Sequence, residues 1–162
     1  MGMTAYFKIL NPSEFKKLCT RPDEFEDILF PDDCDDPFEG QLCLEKEWHG
    51  LHYVLCNSPE PDGSALGDAI LGGNEIGPDL GYGHGRLINS GRVKEISEAL
   101  NGVNFRELYD QLDRNKKEIE KLYSSFEFDE IEREYHLELL NRLKDVYSQA
   151  SENGQEIFTY FA

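Results

Sequence analysis

The strongest constraint on this chain lies at its two ends. "TAYFKI", residues 4–9, and "QEIFTYFA", residues 155–162, are β-prone and aromatic-rich, while most of what lies between carries helix signals. Strands at both ends and helices between them predict an α+β fold. The expected arrangement is a small sheet that includes both terminal strands, packed with several helices; sequence alone does not establish that those two strands pair. No internal repeat appears and no linker divides the chain, so residues 1–162 are read as a single domain. At that length one core suffices, burying roughly 68–70% of the surface the unfolded chain exposes.

The helix signals are local and physical. "NPSE" after the first strand supplies Asn11 as a cap, Pro12 at the first helical position and Glu14 at the third, the pattern of a capping box. Phe15, Leu18 and Cys19 then share a face, and "DEFEDILF" starts a second short helix. "QLCLEKEWHGLHYVLC", residues 41–56, is expected to be one helix, because Leu44, Trp48, Leu51, His52 and Leu55 fall on one face. Gly50 in its middle costs about 1 kcal/mol against Ala. Ser64 is the expected cap of "ALGDAIL", Ser90 of "GRVKEISEAL" and Asn104 of "FRELYDQL". Phe105, Leu108, Tyr109 and Leu112 form a stripe that Ile119, Leu122 and Tyr123 would continue. The clearest helix begins at "DEIEREYH", with Ile131, Tyr135, Leu139, Val146, Tyr147 and Ala150 near one face and Asn153-Gly154 as its stop.

Charge narrows the partners. Sixteen Lys and Arg against thirty-three Asp and Glu give a net charge of −17. Such a chain repels phosphate backbones and anionic lipid surfaces, so neither nucleic acid nor membrane is an expected partner. A basic protein is, because the net field steers it inward. The plainer reading of the same acidity is solubility. The opening "MGMTAYFKIL" lacks the basic and apolar regions of a secretory signal. The expected location is cytoplasmic and the expected state a monomer or weak dimer. In that compartment Cys19, Cys34, Cys43 and Cys56 stay reduced, and their spacings match no zinc knuckle.

The motifs give no catalytic signature. "GYGHGR", residues 81–86, offers Gly81 and Gly83 for a dinucleotide loop, but Arg86 stands where the third glycine belongs, and no convincing strand precedes it. These glycines are expected to serve left-handed backbone or close packing. Arg86 is expected to pair a carboxylate or to face a pocket shared with Trp48 and His52. His49 and His52 with Glu45 one turn earlier resemble three zinc ligands, but His-x-x-His lacks the spacing of a metalloprotease, and His52 falls on the apolar stripe. "PDDCDDPFEG", residues 31–40, lacks the alternation and closing Glu of a calcium loop. No metal and no cofactor are expected. His136 reads as a residue of a charged helix face, and Cys43 and Cys56 form no recognisable dyad with a histidine.

Four stretches together carry a resemblance: "MGM…YF", "LEKEWHGLHYVL", "LGGNEIGPDLGYGHGRLINSGRVKEISEAL" and "IFTYFA". In consistent order over nearly the whole chain they resemble the YfbM-like family, a bacterial domain of unknown function numbered 1877. The resemblance implies a single α+β domain in the bacterial cytoplasm and implies no activity. It marks Trp48, His52, Gly81, Tyr82, Gly83 and Arg86 as signature positions. "SSFEFDEI" departs from the family's more usual Ile-Tyr-Pro-like turn.

Two functional expectations follow. The first is a non-enzymatic, acidic protein-interaction module that binds a basic protein, as an immunity protein binds a toxin, through the segment from Asp23 to Glu47. The alternative is a small-molecule binder or enzyme with a pocket between the Trp48–His52 helix and the Tyr82–Arg86 loop. The candidate binding residues are Trp48, His49, His52, Tyr82, His84 and Arg86.

Overall fold

In a computed structural model, which describes residues 2–30, 41–112, 116–126 and 129–162, both chain ends lie side by side at the centre of one sheet. Strand β1 (Ala5–Ile9) pairs antiparallel with β5 (Ile157–Phe161), Phe7 opposite Thr159. The other strands are β2 (Gln41–Cys43), β3 (Asn74–Asp79) and β4 (His84–Ile88), and the order across the sheet is β2-β1-β5-β4-β3, antiparallel throughout. The α+β expectation holds, with both terminal strands in one sheet, and the structure adds that they pair directly.

Strand β5 is buried along its whole length, which tells how the layers are built. Its Ile157 and Phe161 point to the larger core, and its Phe158 and Tyr160 to a smaller one on the opposite face. The smaller core is closed by α1 (Pro12–Thr20) and α2 (Phe25–Leu29), through Leu18 and Leu29. The larger face carries α3 (Trp48–Cys56), α4 (Ala65–Leu71), α5 (Ser90–Asn101), α6 (Phe105–Asp110) and α8 (Glu130–Glu152), with the single turn α7 (Lys116–Ile119) between the last two. The Tyr147 hydroxyl, fully buried on α8, donates to the Ala69 carbonyl of α4 at 2.7 Å and ties those helices together. Among the described residues no helix is long and apolar enough to cross a membrane.

Helix ends mostly follow the sequence signals. Asn11 and Glu14 form the full capping box, and Ser64, Asn104 and Asp129 accept from the first turns of α4, α6 and α8. Helix α5 differs: Asn89 is its cap, accepting from Arg92 N–H at 2.9 Å, and Ser90 is already helical. Residues 41–56 are not one helix. Leu42 pairs with Phe7 in the sheet, Glu45 takes a left-handed φ of 51° and a 3₁₀ turn over Glu45–Glu47 leads into α3. Sheet pairing overrides the apolar stripe there. Helix α6 stops at Asp110, so Ile119 and Leu122 do not extend its stripe. Ile131, expected on the buried face of α8, is 83% exposed. The acidic stretch 31–40, with Cys34, lies outside the described residues.

Strand β3, before the glycine motif, went unseen in the sequence. Its residues Asn-Glu-Ile-Gly-Pro-Asp are poor strand formers, tolerated because it is an edge strand carrying a register shift between Ile76 and Asp79. "GYGHGR" is therefore the tip and return arm of a β-hairpin, with Gly81 at φ 103° and Gly83 at φ 101°.

Candidate functional site

The candidate residues fall in three places. The first is a packed row through the larger core. The indole of Trp48 is 5% exposed and donates to the Met3 carbonyl at 3.1 Å. The His49 ring stacks on it at 4.8 Å with a 6° tilt, and Phe161 lies against the same indole at 4.8 Å, tilted by 59°. His49 Nδ1 accepts the Tyr123 N–H at 2.8 Å. That fixes the neutral tautomer, so Nε2–H donates to the Pro59 carbonyl at 2.7 Å. Both ring nitrogens are committed to holding backbone.

His52 is fully buried, and its Nε2 lies 3.3 Å from the thiol of Cys56, one turn on. The sequence reading sets this pair aside as no recognisable dyad, though i, i+4 on one helix is the spacing that brings the two together. Burial, with a smaller push from His49, holds the His52 pKa below its ordinary value. Burial pushes the Cys56 thiol up to about 11. A neutral imidazole beside a protonated thiol is not an activated nucleophile, because the thiolate is the reactive form. Glu45, the third member of the suggested zinc set, instead faces the Tyr135 hydroxyl, which burial and this carboxylate push up to about 12. Among the described residues no group of three or more His, Cys, Asp or Glu is arranged to hold a metal.

The second place is the end of helix α4. Arg86 Nη1 donates to the Leu71 carbonyl in the last turn of that helix at 3.0 Å, and the guanidinium lies 5.8 Å above the Phe161 ring. The expected carboxylate partner is replaced by a helix C-terminus, which presents orphan carbonyls and a partial negative charge. Phe161 bridges Arg86 to Trp48, so an aromatic ring stands where the shared pocket was sought. His84 is spent inside the hairpin, its Nδ1 2.9 Å from the Gly77 carbonyl.

The third is the hairpin tip. The Asp79 carboxylate accepts from Gly81 N–H at 2.8 Å and Gly83 N–H at 3.2 Å. These two donors hold its pKa below the usual carboxylate range. Tyr82 stands out from this turn, 50% exposed.

One residue dismissed by sequence reasoning is central to the core. His136 is fully buried, its Nε2 3.0 Å from a Glu47 carboxylate oxygen and its Nδ1 3.0 Å from the Tyr109 hydroxyl. Phe126 stacks on it at 4.1 Å. His136, Leu140, Leu143 and Tyr147 repeat at i, i+4, i+7 and i+11, and all are buried. That spacing was the available signal, and the stripe drawn through Ile131 and Tyr135 lies one residue off it.

The surface feature that stands apart is a groove of about 730 Å³ between α2, the β3–β4 hairpin and the end of β5. Among the described residues five carboxylates line it, those of Asp23, Glu24, Glu26, Asp27 and Asp79, with no Lys, Arg or His. Its apolar lining comes from Phe25, Phe30, Leu80, Tyr160 and Phe161. Glu24 pairs with Arg21 at 2.7 Å. Asp23, Glu26 and Asp27 are exposed and carry no side-chain partner among the described residues. The groove takes up the first part of the acidic segment expected as a binding face, whereas Glu47 belongs to the His136 contact.

What the geometry defines is a one-sheet α+β domain with helices on both faces, His52 and His136 buried in the core and an acidic groove at one end of the central strand. The family model described as "Domain of unknown function (DUF1877)" matches residues 1–160, and the chain belongs to that family. Among solved structures, a protein of unknown function, YfbM from Escherichia coli, is similar with a TM-score of 0.69 at 19% identity, over 98% of this chain and 99% of that one. At that identity the likeness speaks to the fold alone. No curated protein matches the chain.

Proposed function

We propose that this chain is an interaction module rather than an enzyme, and that it takes a basic segment of a partner protein in the groove between α2, the hairpin and β5, in the manner of an immunity protein on a toxin. A bacterial cytoplasmic setting goes with this reading, supported by the family relationship. The observation that carries the proposal is the lining: among the described residues, five carboxylates over apolar side chains and no basic group. An apolar centre with charge around it is how transient interfaces are built. The net charge of −17 adds long-range steering of a cationic partner, which raises association rates and falls off with salt. His49 is stacked on Trp48 and held by two backbone contacts, His52 is buried against the Cys56 thiol, and His136 is held between Glu47 and Tyr109, so these rings serve packing.

The test is fluorescence anisotropy with a labelled twelve-residue peptide alternating arginine and serine, against its glutamate counterpart. Binding of the arginine peptide alone, weakening as salt rises, is expected. The double charge reversal Glu26→Lys, Asp27→Lys should reduce affinity at least tenfold, while reversing Glu138 and Asp145 on α8 should leave it within twofold. No binding by the wild type, or equal losses from both pairs of reversals, refutes the groove.

A further inference from the structure

We infer that Tyr82 is the anchor of this surface: its ring receives an arginine side chain of the bound basic segment while the groove carboxylates take the neighbouring charges. The inference rests on the reading of the groove above and adds which residue gives that surface its selectivity and for which cation.

The rings inside the groove are already occupied. Phe30 has the Lys8 ammonium 5.5 Å above it. Phe161 has the Arg86 guanidinium at 5.8 Å. Tyr160 stacks on Tyr6 at 5.1 Å and takes Phe30 edge-on at 5.9 Å. A second cation on Phe30 or Phe161 meets the charge of the first, Tyr160 is flanked by two rings and Phe25 lies tilted against Phe158 at 6.4 Å, so these rings offer an incoming cation contact area and little else. Tyr82 differs from all of them: it is half exposed, and no described residue stacks on it or bonds to its hydroxyl. Three large apolar side chains are exposed among the described residues, Tyr82, Tyr123 and Ile131. Tyr123 is engaged, stacked on Trp48 and accepting from Met3 N–H. Ile131 has no π face.

Position and rigidity complete the argument. Pro78, Asp79 and Leu80 line the groove, and Tyr82 follows Leu80 by two residues, at most about 7 Å of chain. The turn that displays it is fixed by the two N–H bonds to Asp79 and by Leu80 N–H to the Gly83 carbonyl at 2.9 Å. A tyrosine on a rigid turn loses little freedom on binding, one reason tyrosine is enriched among residues that dominate interfaces. Between the two biological cations, the planar guanidinium stacks on an aromatic face and keeps donors at its edge for carboxylates, whereas the ammonium is a compact, strongly hydrated charge.

The experiment compares the alternating arginine–serine peptide with its lysine–serine counterpart on wild type, Tyr82→Ala, Tyr82→Trp and Tyr82→Leu, with thermal melts as the folding control. Wild type should prefer the arginine peptide at least threefold. Tyr82→Ala should melt with wild type, weaken the arginine peptide at least fivefold and abolish the preference. Tyr82→Trp should keep both affinity and preference, and Tyr82→Leu should lose the preference. Titration of the arginine peptide into wild type should shift the Tyr82 ring protons in NMR spectra. Tyr82→Ala within twofold of wild type on the arginine peptide, or an unchanged preference, overturns the anchor while the groove reading stands if the groove charge reversals still abolish binding. Absence of any peptide binding by wild type overturns both.

Discussion

Gly50 is the position where propensity and packing predict opposite signs. It sits inside α3, where glycine is less favourable than alanine by about 1 kcal/mol. On helix energetics alone Gly50→Ala should stabilise the protein. The structure says otherwise. A β-carbon at Gly50 would fall on Cδ2, Cε2 and Cγ of Phe126, closer than non-bonded carbons approach. Phe126 cannot swing freely, being 5% exposed and stacked on His136 at 4.1 Å. Overpacking of this kind costs typically 1–3 kcal/mol, and a full overlap with a confined ring belongs at the upper end. Setting about 3 kcal/mol of strain against about 1 kcal/mol of helix propensity leaves a net loss of about 2 kcal/mol. For a chain of this length that is a fall in Tm of roughly 4–8 °C. Urea unfolding of wild type, Gly50→Ala, Phe126→Ala and the double mutant provides the cycle. Phe126→Ala alone should cost about 3–5 kcal/mol. In its background Gly50→Ala should change sign and become stabilising, because the ring is gone and only propensity remains. A Gly50→Ala protein more stable than wild type, or equal effects in both backgrounds, would refute the packing argument.

Other outcomes follow from the same contacts. Arg86→Ala should lower stability by about 1–2 kcal/mol through loss of the α4 carbonyl contact and the Phe161 face, and should leave peptide binding by the folded protein intact; unchanged melting with lost binding would make Arg86 a recognition residue. Because the folded His52 pKa lies below its unfolded value, its stabilising contribution is complete above about pH 6.5 and declines as pH falls below that. His52→Gln should therefore show a shallower loss of stability between pH 7.5 and 5.5 than wild type in urea titrations, and parallel slopes would contradict this. Gly81→Ala and Gly83→Ala should each cost on the order of 1 kcal/mol through left-handed backbone alone, since a β-carbon at either meets nothing within 4 Å; calorimetric melts indistinguishable from wild type would count against it. Elemental analysis of protein purified without chelator should find no stoichiometric zinc or calcium, and about one ion per chain would overturn the reading of the histidine and aspartate spacings.

How much was legible depends on where each element takes its stability. The terminal strands could be read because Tyr6, Phe7, Phe158, Tyr160 and Phe161 are β-prone residues that need a sheet wherever they fall. The caps at Asn11, Ser64 and Asn104 could be read because a capping bond is local. Strand β2 could not, since Leu44 fits the helical spacing of Trp48, Leu51 and Leu55 that follows it, and the choice is made by the pairing of Leu42 with Phe7, distant in sequence. Strand β3 hid behind Gly77 and Pro78. His136 was obscured by the acidic residues around it, because its partners Glu47 and Tyr109 lie 89 and 27 residues away. Of the candidate site, the bends at Gly81 and Gly83 were legible from residue type. The groove was not, because it joins α2, the hairpin and β5, three segments brought together only by the fold.

The proposed surface has two parts that differ in physical kind, so they should separate in time. Asp23, Glu26 and Asp27 are exposed carboxylates, each worth little as an isolated pair in water. Their effect on a cationic partner acts over the distance that salt screens, about 8 Å at physiological ionic strength, and so belongs to the approach. Tyr82 has no net charge and acts only in contact, so its effect belongs to the dwell. Reversing Glu26 and Asp27 should slow association and flatten its salt dependence, whereas Tyr82→Ala should leave the association rate within about twofold and speed dissociation. Stopped-flow association at several salt concentrations reads the first, and displacement by excess unlabelled peptide reads the second. If Tyr82→Ala instead slowed association in proportion to its loss of affinity, the tyrosine would be shaping the encounter rather than holding the complex, and the anchor assignment would fail even with the affinity change observed.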